Sequence, residues 1–242
     1  MVNFKMKALI LAGGKGTRFS EETKSKPKPL IEINGVPMLI HIINHYQSFN
    51  VNEFVILGGY KHEMIIDYFE SFCEKQTNGK LKYKNSEIII LDTGTETMTG
   101  GRVKKAVDHL KLENFFLTYG DGISDVNIKN LLDSHKKSSC LVTVTAVRPP
   151  ARFGSLELNG DNVVAFGEKN QSKEGWINGG FFVMNKKIIN YIQDGSTILE
   201  KEPLEKLAKE RQLNAFKHFG FWQPVDTIRE KELLEKILKQ NT

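Results

Sequence analysis

The chain has 242 residues, 40% of them hydrophobic and 26% charged, with Lys plus Arg at 34 against Asp plus Glu at 29. This composition excludes an intrinsically disordered chain, which would be poorer in apolar residues, while a net charge of +5 suits a small anionic substrate as readily as a nucleic acid. Two cysteines, Cys73 and Cys140, outside any CxxC pair, exclude a disulfide framework and a cysteine-rich zinc site and point to a reducing, cytoplasmic setting.

Residues 8–11 form an apolar run without alternation, the mark of a strand buried on both faces. Residues 38–49, entered through Pro37, put Leu39, Ile42, Ile43 and Tyr46 on one face of a predicted helix. Strands are then predicted at 53–57, 87–91, 115–119 and 141–147, alternating with helices at 63–72, 102–110 and 128–135. The rhythm breaks at 148–178. There 155–158 and 163–166, joined by Asn159-Gly160-Asp161-Asn162, predict a hairpin and a small β-rich flap on the main sheet. A strand at 181–184 and helices at 199–210 and 229–239 complete the chain. The alternation predicts an α/β fold, a mostly parallel sheet wrapped by helices. With no repeat, low-complexity stretch or linker, residues 1–242 read as one domain. No stretch approaches the roughly 18 apolar residues of a membrane span, so no membrane partner is expected.

The chemistry-bearing stretch follows the first strand directly: Leu11-Ala12-Gly13-Gly14-Lys15-Gly16-Thr17-Arg18. Glycines after a buried strand let the backbone turn tightly and bring its N–H groups to phosphate oxygens, and Arg18 can grip phosphate with two parallel hydrogen bonds. It is not a Walker A loop, since no Gly-Lys-Ser/Thr follows, nor the dinucleotide fingerprint, since Phe19 stands where the third glycine belongs. In Lys26-Pro27-Lys28-Pro29 the flanking prolines restrict the backbone and aim Lys28, lowering the entropy lost on holding it at a charged target; Lys24 and Lys26 are expected on a solvated face. Asp121, between Gly120 and Gly122 just after the strand at 115–119, is a carboxylate where open α/β sheets bind ligands; a turn aspartate is the alternative.

Together with Ser20-Glu21-Glu22-Thr23, Asp92-Thr93-Gly94, Met98-Thr99-Gly100-Gly101-Arg102, Tyr119-Gly120-Asp121-Gly122, Arg152-Phe153-Gly154, Ile177-Asn178-Gly179-Gly180 and Phe221-Trp222-Gln223-Pro224-Val225-Asp226-Thr227, these motifs resemble the sugar-1-phosphate nucleotidyltransferases. Within that family they are most like the enzymes that join CTP and glucose 1-phosphate into CDP-glucose and pyrophosphate with Mg²⁺. The resemblance implies that Arg18 and the loop Gly13, Gly14, Lys15, Gly16 and Thr17 hold the β- and γ-phosphates, with Leu11 and Ala12 bordering the base. Lys28 bridges the α-phosphate and the sugar phosphate, so that Arg18, Lys28 and Asp121 carry the chemistry. Asp121 and Asp226 hold the metal; Thr97, Gly101, Arg102 and Gly120 contact the nucleotide, Gly100 and Gly101 leaving room for a flat base. Glu168, Lys169, Asn178 and Gly179 take the sugar phosphate, beneath the flap. In-line attack on the α-phosphorus asks for positioning and for cations where charge develops.

Taken by themselves, the residues leave other readings open. Asp226 also fits a helix N-cap near Thr227, Thr97 to Gly101 a capped start of the helix at 102, and Glu168-Lys169 a surface ion pair. UTP, dTTP or GTP, or another sugar 1-phosphate, would serve the same mechanism. His41 and His45 have the i, i+4 spacing of a metal pair, but Ile42 replaces the glutamate a metalloprotease helix needs, and both are expected on the outer face. Cys73 and Cys140 read as packing residues; Trp176 and Trp222 line the sugar pocket or the core. Lys and Arg are scattered instead of forming a stripe with aromatics, so no nucleic-acid partner is expected. Relative to the family, residues 72–88 are shortened and the chain stops soon after Gln240. Such peripheral segments often build subunit contacts, so the family's oligomeric state does not carry over to this chain; a homo-oligomer is expected, its subunit number left open.

Overall fold

The computed structural model describes residues 6–149, 155–167 and 175–240, with the side chains of Arg18, Ser20, Glu21, 155–158 and 166–167 outside the description. Among the described residues, nine strands form the central sheet: β1 (Ala8–Leu11), β2 (Glu53–Gly58), β3 (Glu74–Lys75), β4 (Leu81–Tyr83), β5 (Ser86–Asp92), β6 (Asn114–Tyr119), β7 (Val142–Val147), β8 (Ile177–Asn185) and β9 (Leu213–Lys217). Their order is β9-β7-β8-β6-β1-β2-β5-β4-β3. The central run β6-β1-β2-β5 is parallel, and β9 runs with β7. Only β8 and β4 oppose the rest, which makes the sheet mixed but mostly parallel.

Helices α1 (Met38–Ser48), α2 (His62–Glu70), α3 (Thr99–Leu110), α4 (Ile128–Ser138), α5 (Glu202–Lys209) and α6 (Ile228–Gln240) surround it. The lack of alternation in β1 has a simple cause. Ala8 and Ile10 pack into one core with Ile42, Phe54 and Phe116, while Leu9 and Leu11 pack into a second with Val103, Leu117 and Phe182. Both faces are covered by helices, so neither face of the strand needs polar residues. A third, smaller cluster joins Phe19, Ile31, Ile33, Met38, Ile123, Val225 and Leu234, and it anchors α6 next to the ends of β1 and β6.

Three local expectations are corrected. The helix predicted at 199–210 starts only at Glu202, because Pro203 belongs in a first turn; this leaves Glu200 in the preceding turn. The helix predicted at 102 starts at Thr99. His41 and His45 do not face outward: their Nε2 atoms bond the Ile33 and Val126 carbonyls at 3.1 and 2.8 Å, and His45 packs edge-on against Phe49 and Phe181. The predicted hairpin pairs Ser155–Asn159 with Asn162–Gly167, turning through Gly160 at φ +61°. Among the described residues no helix is long and apolar enough to cross a membrane.

Candidate active site

A cleft of about 360 Å³ opens at the carboxyl ends of β1 and β6. Leu11, Ala12, Gly13, Gly14, Gly16 and Thr17 form one wall; Thr97, Met98, Thr99 and Arg102 form another. The glycine loop is held by backbone bonds to its neighbours: Ala12 N donates to Leu57 O (3.0 Å), Tyr60 N to Gly13 O (3.1 Å) and Gly120 N to Leu11 O (2.9 Å). Gly16 sits at φ +62°, with the space a Cβ would need taken by Thr23 at 2.8 Å. Thr23 Oγ1 in turn donates to the Phe19 and Gly16 carbonyls. Gly120 lies so close to Leu11 O and Pro29 that a Cβ would come within 2.7 Å of the former. Gly16 is therefore demanded by its positive φ and the crowding of Thr23, and Gly120 by close backbone approach.

Packed against the glycine loop from the opposite wall is Arg102, 4% exposed. Its guanidinium donates to the carbonyls of Gly58 (2.8 Å), Gly94 (3.0 Å), Gly13 (2.9 Å) and Thr95 (3.3 Å), and to Thr93 Oγ1. It thus ties together the loops that follow β1, β2 and β5. A Cβ on Gly13 or Gly59 would fall 2.2 Å from its Nη1, so those glycines make room for the arginine. Burial lowers its pKa, against the opposing charge of Asp92. Arg102→Met is expected to cost about 3 kcal/mol, because several buried acceptors lose a charged donor together. Thermal unfolding checks this; an unchanged Tm would refute the strut.

At the floor of the cleft, Lys28 donates from Nζ to Asp121 Oδ2 at 2.8 Å and to Asp226 Oδ1 at 2.7 Å. Three distant segments supply the group. Lys28 opens a single 3₁₀ turn, Lys28–Leu30, whose preceding Pro27 sits at φ −65°. Asp121 follows β6, and Asp226 follows the short strand Trp222–Pro224, which pairs antiparallel with Gly122–Ser124 in a register that sets Pro224 beside Gly122. Val225 N then donates to Asp121 O at 2.9 Å, locking the two aspartates side by side. The helix-cap alternative for Asp226 is answered by its neighbours: Thr227 Oγ1 accepts from Glu230 N (3.2 Å), while Glu230 Oε2 accepts from Asp226 N (2.8 Å). Thr227 is therefore the capping side chain, with Glu230 holding the amide one residue before it, and the Asp226 carboxylate reaches Lys28 instead. Burial alone would lower the Lys28 pKa; Asp121 first and Asp226 second outweigh it, so the ammonium is held above the usual lysine value.

The remaining predicted residues fall as follows. Lys15 reaches across to Glu96 at 2.8 Å, both exposed. Thr97 accepts from Lys105 Nζ at 3.3 Å. Gly100 and Gly101 do not make room for a base: Cβ atoms there would come within 2.7 Å of Thr197 O and 2.6 Å of Gly195 Cα, so backbone fills the space their missing side chains leave. Asn178 and Gly179 lie beside the cleft, Gly179 O accepting from Trp222 Nε1 at 2.8 Å. Trp176 packs against Phe219 with Arg148 over its ring. Arg152, Phe153, Gly154, Glu168 and Lys169 lie outside the described residues, as does the Arg18 side chain. Among the described residues no cluster of three or more His, Cys, Asp or Glu is poised for a metal. Sequence reasoning missed Glu200, which meets Tyr119 and Thr99; its one sequence signal is an acid between Leu199 and the pre-proline turn.

With this geometry in view, similarity to known proteins is informative. Residues 7–229 match the nucleotidyl transferase family. The glucose-1-phosphate cytidylyltransferase of Salmonella typhimurium is 44% identical over 235 residues, covering 92% of this chain and 91% of that one. The mannose-1-phosphate guanyltransferase of Saccharomyces cerevisiae is 32% identical over 229 residues, covering 91% of this chain and 61% of that one. In three dimensions, HddC from Yersinia pseudotuberculosis, solved with GMP-PN, superposes with a TM-score of 0.73 at 24% identity, covering 96% of this chain and 99% of that one. The glycine loop, the lysine and its two carboxylates accordingly sit in a chain that belongs to the nucleotidyl transferase family.

Proposed function

We propose that this chain transfers a cytidylyl group from CTP to glucose 1-phosphate, giving CDP-glucose and pyrophosphate. The observation that carries the reaction class is the meeting of Lys28, Asp121 and Asp226 beside a glycine loop in one cleft. Cytosine and glucose are supported by the 44% identity with the Salmonella enzyme. An oxygen of the sugar phosphate attacks the α-phosphorus, and the bond from that phosphorus to the bridging oxygen breaks. The electron pair leaves with pyrophosphate. No covalent enzyme intermediate is needed, so the protein's work is positioning and charge stabilisation.

The glycine-loop amides and Arg18 take the triphosphate, with the base lying toward Leu11, Ala12 and the 97–102 turn. Lys28, kept protonated by its two aspartates, faces the transferring phosphoryl group and offsets the repulsion between it and the incoming sugar phosphate. Asp121 and Asp226 fit Mg²⁺: both are hard oxygen donors, partly open to the cleft, and they already converge on a single cationic atom. Mg²⁺ commonly takes one or two carboxylates and completes its shell with phosphate oxygens and water. When bound, it would supply further positive charge at the phosphates. Glu168, Lys169, Asn178 and Gly179 are assigned to the sugar phosphate. Two unpaired cysteines suit a cytoplasmic enzyme.

Pyrophosphate release, measured with four nucleoside triphosphates against a panel of sugar 1-phosphates, tests the reading. Release with CTP and glucose 1-phosphate well above all other pairs is the expected result. Another preferred pair would keep the mechanism and overturn the specificity. No release with any pair would overturn the reaction itself.

A further inference from the structure

We infer that Glu200 is a positioning residue that sets the hydrogen-bond direction of a chain running from the start of α3, through Tyr119, to Asn178 on the sugar side of the cleft. The inference rests on the function proposed above. It begins with the turn that Pro203 forces ahead of α5. The stretch leading into it is laced to the start of α3, Met98 N donating to Gly195 O (2.8 Å) and Gly100 N to Thr197 O (3.0 Å). That lacing sets the Glu200 carboxylate between two hydroxyls. Thr99 Oγ1 donates to Oε2 and Tyr119 OH to Oε1, each at 2.6 Å.

A carboxylate only accepts. Both hydroxyls must therefore spend their single proton on Glu200, and each oxygen is left as an acceptor. Thr99 Oγ1 accepts from Leu199 N at 2.9 Å. Tyr119 OH accepts from Asn178 Nδ2 at 3.0 Å, and Asn178 Oδ1 accepts from Gly180 N at 2.8 Å. Glu200, through Tyr119, and Gly180 N, on the other side, thus agree on which way the Asn178 amide faces, leaving its second N–H as the group offered to a ligand. The Tyr119 ring is held in place independently, edge-on to Phe182 and against Gly180, where a Cβ would lie 2.4 Å from it. Burial, and then the Glu200 charge, push the Tyr119 phenol above its ordinary range, so it remains a neutral donor.

The two ends of the chain differ in how much they depend on Glu200. The start of α3 is also held by the lacing bonds and by Arg102. Asn178 has Tyr119 as its side-chain partner among the described residues. Loss of Glu200 should therefore fall on the sugar phosphate and spare the nucleotide. Glu200→Gln is the sharp variant: it keeps the shape but replaces one acceptor with a donor, so Tyr119 can receive a proton and turn its own toward Asn178 Nδ2; with Oδ1 still held by Gly180 N, the two donors face each other and the Tyr119–Asn178 bond is lost.

The expected result for Glu200→Gln is a rise of roughly tenfold in the KM for glucose 1-phosphate, with the KM for CTP changed less than about twofold. Tyr119→Phe should raise the sugar KM similarly, and the double variant should be no worse than either single one, because both break the same chain. An unchanged sugar KM, multiplying losses, or a parallel rise in both KM values with a falling Tm would each overturn the inference. A second readout needs no turnover. In the substrate-free protein the Asn178 side-chain amide resonances, followed by NMR, should shift in both single variants; their staying in place would sink the inference whatever the substrates prove to be. Wild-type protein inactive on CTP and glucose 1-phosphate would instead overturn the proposed function and leave this spectroscopic test standing.

Discussion

Lys28→Met is expected to lower kcat by roughly 10²- to 10³-fold, the loss seen when one pre-set charge donor is removed from a reacting centre, while the KM for CTP moves far less. The side chain is 9% exposed and its ammonium bridges two carboxylates at 2.8 and 2.7 Å. It is therefore held ready before any substrate arrives, and little reorganisation remains at the moment of transfer. Methionine preserves the aliphatic stem and its packing beneath the glycine loop, so a loss in kcat reports the charge. Steady-state kinetics separates the outcomes. A rise confined to the KM for CTP would make Lys28 a binding group only.

Asp226→Asn and Asp121→Asn are expected to lower kcat by at least two orders of magnitude and to raise the Mg²⁺ concentration needed for half-maximal rate. Each substitution keeps size and shape, and the partly exposed carboxylates make only a modest contribution to folding, since water screens them. A Mg²⁺ titration of initial rates, with circular dichroism as the control for folding, reads both effects. Near-normal rates at ordinary Mg²⁺ would remove the proposed metal role. The same variants carry a pH signature. Removing either aspartate takes away attraction that opposes burial at Lys28, so its pKa falls. The alkaline limb of kcat against pH should move to lower pH, more for Asp121→Asn than for Asp226→Asn. For stability the sign runs the other way from a carboxylate. A lysine pKa raised in the folded state stabilises the fold below the unfolded value of about 10.4, and this is lost as pH climbs through the folded value.

Much of this architecture was legible in the linear chain. The run 8–11 had to be a doubly buried strand because it offers no polar face, and β1 is buried at all four positions. The glycine loop and the proline-flanked Lys28 were visible for a related reason: local backbone geometry limits which residues can stand there, and those limits appear as residue types. Asp121 could be placed at a strand end because the strand before it is apolar and the residues beside it are glycines.

Other features belong to the tertiary structure alone. The pairing of Pro224 with Gly122 decides that Asp226, more than a hundred positions from Asp121, comes to lie beside it. No local pattern encodes a contact at that separation. Arg102 resembles a nucleotide contact in its motif and lines the cleft; what its motif does not show is that packing surrounds its guanidinium with carbonyls from three loops, a count of acceptors that only the assembled strands can provide. Gly100 and Gly101 looked like space for a base and turned out to be space for another part of the backbone. Glu200 was hidden in a predicted helix until Pro203 displaced its start. The sequence by itself determined local conformation and residue chemistry, because both depend on near neighbours. Which charges meet, and which hydroxyls face one carboxylate, was decided only when the sheet register and the turns between its strands brought distant segments within hydrogen-bonding range.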